Sequence, residues 1–123
     1  MKDETTTIKQ VHDIVAEFIK ERDWEQFHTP KNCAMNVVAE ATELMEHFTW
    51  VGSQMSCYPE STDRQEIEDE AADVLTALMA FVKVCDIDLA AAFERKMEKN
   101  RAKYPIERAR GVSTKYTKLQ DPE

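Results

Sequence analysis

The chain has few of the residues that turn or cross-link a polypeptide. Its 123 residues include two glycines, four prolines and three cysteines. A sandwich or barrel of short strands needs frequent turn-forming residues, so this scarcity disfavours those folds and favours long helices with few connections. The cysteines, Cys33, Cys57 and Cys85, form no CxxC pair and cannot all pair within one chain, which is typical of thiols in a reducing cytoplasm.

Long apolar runs and net positive charge are also missing. No apolar run approaches membrane-spanning length, and the first residues, MKDETTTIKQ, lack an apolar signal region. The 24 acidic residues exceed the 16 basic ones, so the formal net charge is -8 and the surface repels polyanions. We expect a cytoplasmic protein that binds neither a membrane nor a nucleic-acid polymer. A phosphate ligand would need a cation to bring it in.

Helical periodicity is what the chain does contain. Apolar residues recur at helical spacing in four segments. The predicted helices run from about Thr6 to Arg22, from Pro30 to about Phe48, from Asp63 to about Cys85, and from Leu89 to about Lys103. The sequence therefore predicts an all-α protomer of four helices.

The ends of these helices carry recognisable signals. Thr29-Pro30 is typical of a cap followed by a first helical residue, and either Asp86 or Asp88 caps the fourth helix. Residues 49–62 predict a long loop. We expect one domain over residues 1–105 and a polar, partly extended tail over residues 106–123.

Two acidic pairs occupy the second and third helices. Glu40 and Glu43 are three residues apart, as are Glu70 and Asp73, so each pair lies on one helix face. The predicted apolar stripe of the second helix consists of Val37, Val38, Ala41, Leu44, Met45 and Phe48, and Glu40 lies at its edge. If the two helices pack antiparallel through their stripes, the four carboxylates converge at one rim of the core.

The simpler alternative is four solvated surface acids. Surface acids on a helix often have a basic residue three or four positions away, and these four have none. Other acids occupy several of those positions, at a cost of roughly 0.2–0.5 kcal/mol per like-charge pair. A cluster of carboxylate oxygens suits Mg²⁺, with Mn²⁺ as the alternative ion. Spacing alone leaves the cation site and the solvated face open.

Several segments together resemble the MazG-like all-α nucleoside triphosphate pyrophosphohydrolases, and most closely the dCTP pyrophosphatase branch. These segments are RDWEQFHTPKN, the ExxE helix that ends near Trp50, EDEAADVL and KMEKNRAKYP. The similarity runs from about Val11 to the KYTKL segment. It implies a helical-bundle oligomer, either a homodimer or a homotetramer, and an enzyme of nucleotide metabolism.

The resemblance also implies roles for individual residues. Metal binding and catalysis would belong to Glu40, Glu43, Glu70 and Asp73. The nucleotide would be bound by Trp24, His28, Lys31, Trp50, Lys96, Asn100, Lys103 and Tyr104. From the residues alone, the two tryptophans are better explained as anchors at the edge of the core.

The expected reaction is hydrolysis of a deoxynucleoside triphosphate, dCTP or a 5-substituted dCTP, to the monophosphate and pyrophosphate. Two alternatives remain open at this stage. One is a related pyrophosphatase that prefers dUTP or another deoxynucleotide, because the same carboxylates serve any triphosphate. The other is a helical oligomerisation or adaptor module without catalytic activity.

Overall fold

The protein is all-helical in a computed structural model that describes residues 1–50 and 64–122. Over those ranges it contains no strand. The helices are α1 (Ile8–Glu21), α2 (Pro30–Glu46), α3 (Arg64–Val84), α4 (Leu89–Lys103) and α5 (Ile106–Ala109), and short 3-10 helices span Glu25–Phe27 and Tyr116–Lys118. The all-α prediction is confirmed. Cys57, the predicted start at Asp63 and most of the predicted loop lie outside the described residues.

Helices α1, α2 and α4 begin where a polar side chain accepts a hydrogen bond from a backbone amide of the first turn. Thr7 and Gln10 form a capping box at α1, in which the Gln10 amide donates to the Thr7 hydroxyl and the Thr7 amide donates to Gln10 Oε1. The Asn32 amide donates to the hydroxyl of Thr29, next to Pro30 in the first turn of α2. The cap predicted at Thr29 is therefore confirmed.

The sequence leaves Asp86 and Asp88 as alternative caps for α4, and the structure separates their roles. Asp88 Oδ1 accepts the Ala91 amide at 3.0 Å, so Asp88 is the cap. Asp86 instead has a φ of 51°, in the left-handed region, and ends α3. Its amide donates to the carbonyl of Lys83, and the Ile87 amide donates to that of Val82, which is the Schellman pattern.

Helix α3 is the central helix of the first of two compact units, Met1–Ile87, and packs against both α1 and α2. The buried apolar residues are Val15 and Ile19 of α1, Cys33 of α2, and Ile67, Ala77, Met79, Ala80 and Val82 of α3. Because most of this core belongs to α3, the acids on that helix are held at the edge of the packed apolar side chains.

The apolar stripe predicted for α2 is correct at only two of its six positions. Val37 and Leu44 are half-buried, but Val38 and Met45 are exposed. The side of α2 that faces α3 instead carries Cys33, Val37, Glu40, Leu44 and His47, all buried or half-buried. The helix has a second apolar face, which is exposed in the described part of the chain, and sequence periodicity cannot tell which of two such faces packs within the protomer.

The second unit, Asp88–Glu123, contains α4, α5 and the second 3-10 helix. The rings of Tyr104 and Tyr116 meet edge to face, with centroids 6.0 Å apart. The segment predicted as partly extended also includes a helical turn, α5. Pro105 precedes this turn and has a φ of -58°, which its ring restricts. The predicted division at residue 105 stays a prediction. None of the helices in the described ranges is both long and apolar enough to cross a bilayer.

Candidate functional site

Three of the four predicted metal ligands meet between α2 and α3. Glu40, Glu43 and Glu70 each contribute a carboxylate oxygen, and these oxygens lie within 4.8 Å of one another. Glu70 also lies opposite His47, with 3.7 Å between Oε1 and Nε2, while Asp73 lines a cavity together with Glu40. Residue numbers thus rise along α2 as they fall along α3, so the two helices are antiparallel.

Asp73 extends this cluster by one turn of α3. It does not belong to the group of three carboxylates, but its charge acts on Glu40. The pKa of Glu40 is raised above its usual range, first because burial penalises the charged form and then because Glu43 and Asp73 repel it. The four acids therefore form a continuous rim of negative charge. We refer to Glu40, Glu43, Glu70 and Asp73 as the acidic rim.

The acidic rim has no cationic side chain to balance it. In the described part of the chain, no lysine or arginine lies within ion-pair distance of these four acids. The two basic residues of α3, Arg64 and Lys83, pair instead with Glu68 at 2.8 Å and with Glu25 at 3.0 Å. Both basic residues of α3 therefore compensate acids outside the rim.

One oxygen of the acidic rim lacks the partner that burial demands. Glu70 Oε2 is buried without a hydrogen-bond partner. The 3.7 Å between His47 Nε2 and Oε1 is too long for a hydrogen bond. A buried acceptor without a partner costs about 1–3 kcal/mol, and more when it is charged. The oxygen-only donor set therefore fits a hard divalent cation such as Mg²⁺ or Mn²⁺, which would satisfy Glu70 and offset the mutual repulsion.

A cavity of about 140 Å³ opens beside the acidic rim. It is bounded by α1, α2, α3 and the α1–α2 connection, and its lining residues are Val15, Phe18, Ile19, Trp24, His28, Asn36, Glu40, Asp73, Thr76, Ala77 and Ala80. Sites for drug-sized ligands are roughly 300–1,000 Å³, so this cavity is large enough for one ring system and too small for a whole nucleotide. Carboxylates thus adjoin an apolar, aromatic-edged cavity.

Trp24 reaches the cavity because of how α1 ends. Asp23 has a φ of 53°, its amide donates to the carbonyl of Lys20, and the Trp24 amide donates to that of Ile19. This Schellman motif brings the residue after the left-handed position back onto the helix, and Trp24 and Ile19 line the same cavity. The Trp24 ring packs edge to face on Phe18, with centroids 5.7 Å apart.

The connection between α1 and α2 is braced by side-chain hydrogen bonds. The Gln26 amide donates to the carbonyl of Asp23 at 3.0 Å and to its carboxylate at 3.1 Å. The Asn32 side chain donates to the Phe27 carbonyl at 3.1 Å. These bonds fix the segment that carries both Trp24 and His28. Because Trp24 remains 43% exposed, part of its ring is free to stack on a planar ligand.

Other residues with predicted roles do not line this cavity. Lys31 is exposed on the first turn of α2, and Trp50 is 95% exposed at the end of the described residues. The second unit contains the other four, Lys96, Asn100, Lys103 and Tyr104. There the Lys103 ammonium lies 4.7 Å from the centre of the Tyr116 ring, and the Tyr104 backbone amide donates to the Asn100 carbonyl. Their roles toward a nucleotide stay predictions.

The cavity also contains a polar residue that sequence reasoning missed. Asn36 lines it and lies one turn before Glu40 on the same face of α2. The available signal was this spacing of four from a predicted metal ligand.

Comparison with known proteins agrees with this architecture. A model of the MazG-like family matches residues 36–119. The chain is similar to dCTP pyrophosphatase 1 of Rattus norvegicus, with 40% identity over 116 residues that cover 92% of this chain and 68% of the rat protein. The Homo sapiens protein of the same name is 40% identical over 115 residues, with the same coverage of both chains. The crystal structure of a pyrophosphatase from Archaeoglobus fulgidus matches with a TM-score of 0.72 and 37% identity, over 85% of this chain and 98% of that one.

Proposed function

Because the chain belongs to the MazG-like family, we propose that it hydrolyses dCTP or a 5-substituted dCTP, with Mg²⁺, to the monophosphate and pyrophosphate. The chain is a nucleoside triphosphate pyrophosphohydrolase that acts on dCTP-like substrates, in line with relatives named dCTP pyrophosphatase 1. The observation that carries the proposal is the junction of the acidic rim with an aromatic-edged cavity large enough for one base. An adaptor without activity would need neither feature.

The acidic rim is the proposed metal site. Its four carboxylates would hold Mg²⁺, with Mn²⁺ as the alternative ion. When bound, such an ion polarises phosphoryl oxygens and neutralises developing negative charge. The rim supplies no positive charge of its own, so without a cation it would repel a triphosphate.

The residues of the chain then have separate tasks. Trp24 would stack on the base, a contact worth roughly 1–3 kcal/mol. His28 would contact the base from the α1–α2 connection. The exposed carboxylate of Glu43 would orient the attacking water and take up its proton. Phosphoryl transfer depends mainly on positioning and charge, so this small set of groups suffices.

The inner wall of the cavity supports a 5-substituted pyrimidine as substrate. Val15, Ile19, Ala77 and Ala80 are buried and apolar, and two of them have the smallest apolar side chain. A methyl group on the base would bury its apolar surface there, and each buried carbon is worth about 0.8 kcal/mol. The carboxylates do not contact the base, so a preference for dUTP or another deoxynucleotide is the alternative that a substrate screen would reveal.

The remaining predicted contacts complete the proposal. Trp50, Lys31, Lys96, Asn100, Lys103 and Tyr104 would bind the nucleotide in the assembled enzyme. Assembly into a homodimer or homotetramer fits the exposed apolar face of α2. The free thiols of Cys33 and Cys85 suit the cytoplasm, where such an enzyme would act on the nucleotide pool.

A substrate screen tests the proposal. The purified protein is incubated with each common deoxynucleoside triphosphate, dUTP and 5-methyl-dCTP, with and without Mg²⁺, and pyrophosphate release is measured. We expect dCTP and 5-methyl-dCTP to have the highest kcat/KM, and we expect EDTA to abolish turnover. Hydrolysis that is equally fast in EDTA would contradict the metal site.

A matched pair of variants assigns the activity to the acidic rim. Asp73→Asn should lower kcat by at least 100-fold, while Asp69→Asn, the same change one turn earlier on α3, should leave it within about threefold. Circular dichroism should show equal helix content in both. Equal loss of activity in the two variants would point to general charge on α3 and not to the rim.

A further inference from the structure

Asn36 is the neutral polar residue of the cavity closest to the acidic rim along α2. It precedes Glu40 by four residues, so the two side chains share a helix face about 6 Å apart along the axis. Both line the cavity, which is also lined by Trp24 of the α1–α2 connection. A planar ring that stacks on Trp24 in this small cavity lies near the Asn36 amide and near the carboxylates of Glu40 and Asp73.

The amide of Asn36 is free to bind a ligand. Within the described ranges no hydrogen bond uses it. Thr76, the other neutral side chain in the cavity with an amide or hydroxyl group, donates its hydroxyl to the Ala72 carbonyl at 2.9 Å and has no hydrogen left to give. Asparagine also forms helices less readily than alanine, so its position inside α2 is not explained by helix stability.

We propose that Asn36 binds the polar edge of the base, an inference that rests on the proposed function. Cytosine presents an amino donor, N4–H, beside the acceptor N3. Asn36 Oδ1 accepts from N4–H and Nδ2 donates to N3, a donor–acceptor pair of the kind asparagine makes with adenine. Uracil presents an acceptor, O4, beside a donor, N3–H, and the Asn36 amide pairs with these groups too after a half-turn, so the contact adds affinity for either pyrimidine.

Two variants of Asn36 separate hydrogen bonding from shape. Asn36→Leu keeps the size of the side chain and removes both hydrogen bonds. It should raise the KM for dCTP about tenfold with kcat within about threefold, since neutral hydrogen bonds contribute modestly each. Asn36→Asp keeps an acceptor for N4–H of cytosine but places a second acceptor against N3, so it should raise the KM for dCTP at least as much as Asn36→Leu does. For uracil it accepts from N3–H and repels O4, so the dCTP-to-dUTP ratio of kcat/KM should stay within about threefold of that of the wild type.

Two controls make the result specific. Thr42→Ala, a change on another face of α2, should leave both kinetic constants unchanged. Inorganic tripolyphosphate with Mg²⁺ has no base, so its inhibition constant against dCTP hydrolysis should be the same for the wild type and Asn36→Leu. A KM for dCTP within twofold of the wild type in Asn36→Leu would overturn the proposal. An equal weakening of dCTP and tripolyphosphate would also overturn it, because the effect would then lie at the acidic rim.

A binding measurement keeps this inference distinct from the proposed function. Quenching of tryptophan fluorescence by α,β-imido-dCTP reports binding without turnover. Asn36→Leu should weaken this binding about tenfold, and unchanged binding would contradict the role of Asn36 even if the wild type hydrolyses dCTP. A wild type that binds the analogue but hydrolyses none of the nucleotides contradicts the proposed function and not the role of Asn36.

Discussion

The carboxylate of Glu40 lies in an environment that opposes its charge. Burial and the neighbouring charges of Glu43 and Asp73 raise its pKa, and Glu70 adds to the repulsion. Folding therefore brings these acids together at a cost in stability when no cation is present. Such a site favours ligand binding and lowers the stability of the ligand-free protein.

Replacing Glu40 should separate stability from activity. We expect Glu40→Gln to raise the melting temperature of the metal-free protein by about 1–3 °C, because like-charge contacts worth a few tenths of a kcal/mol each are removed. The same variant should lose turnover and most of the stabilisation that the wild type gains from Mg²⁺. Differential scanning fluorimetry with and without about 5 mM Mg²⁺ measures the melting temperatures, and pyrophosphate release measures turnover. A metal-free variant less stable than the wild type would show that the carboxylate is structurally needed.

At the scale of helices, two aspartates two residues apart should have opposite effects on the free energy of unfolding. Asp86 adopts the left-handed region at the end of α3, where glycine is favoured, and Asp88 caps α4 through the Ala91 amide. The outcome depends on the backbone each residue occupies and not on its charge.

Substitution of each aspartate tests this difference. Asp86→Gly should raise the free energy of unfolding by about 0.5 kcal/mol, because glycine adopts this backbone without strain. Asp88→Ala should lower it by about 1 kcal/mol through loss of the cap. Urea denaturation followed by circular dichroism measures both changes. Destabilisation of similar size by the two substitutions would mean that Asp86 contributes more than its backbone conformation.

The packing of α1 against α3 shapes the inner wall of the cavity. Ala80 of α3 is buried there, beside Val15 and Ile19 of α1. The small side chain leaves space that a larger residue would fill, so this interface between helices bears directly on which base can enter.

Enlarging Ala80 should therefore change specificity. We expect Ala80→Val to lower kcat/KM for 5-methyl-dCTP at least fivefold more than for dCTP, because the added methyl groups occupy the space proposed for the 5-substituent. Overpacking should also cost about 1–3 kcal/mol of stability. Steady-state kinetics on both substrates, at a temperature where the variant stays folded, measures the ratio. An equal loss on the two substrates would place the 5-substituent elsewhere.

For the whole molecule, the described apolar side chains are divided between a small buried core and an exposed face of α2. Eight described residues are buried, whereas Met35, Val38 and Met45 are exposed on one face of α2. Their spacing of three, seven and ten residues keeps them on that face. A protomer of this kind has more apolar surface than its own core uses, and self-association would cover it.

Disrupting this face should change the oligomeric state. The wild type should sediment well above the 14.2 kDa of one chain, as expected for a homodimer or homotetramer. Val38 is 66% exposed, and Val38→Glu should shift the protein toward the monomer, because burying a charge in an apolar interface is costly. Lys20→Glu, an exposed charge change on α1, serves as the control. A wild type that sediments as a monomer would contradict the predicted assembly.

The sequence by itself determined the helices, their caps and the acids placed on them. Helical periodicity and capping depend on residues within a few positions of one another, so Thr29-Pro30 and the spacing of Glu40 from Glu43 could be interpreted directly. The family was likewise recognisable from the segments that surround these acids. These features depend on interactions between residues close together in the chain, so they can be predicted without knowledge of the tertiary structure.

Only the tertiary structure decided which groups meet across helices. The antiparallel register of α2 and α3 brings Glu70 to Glu40 and Glu43 and leaves Asp73 one turn away, and it buries Glu70 Oε2 without a partner. The same packing determines which face of α2 lies against α3, and it brings Asn36 and Trp24 to one cavity. Such outcomes depend on how whole apolar surfaces fit together, which no short stretch of sequence specifies.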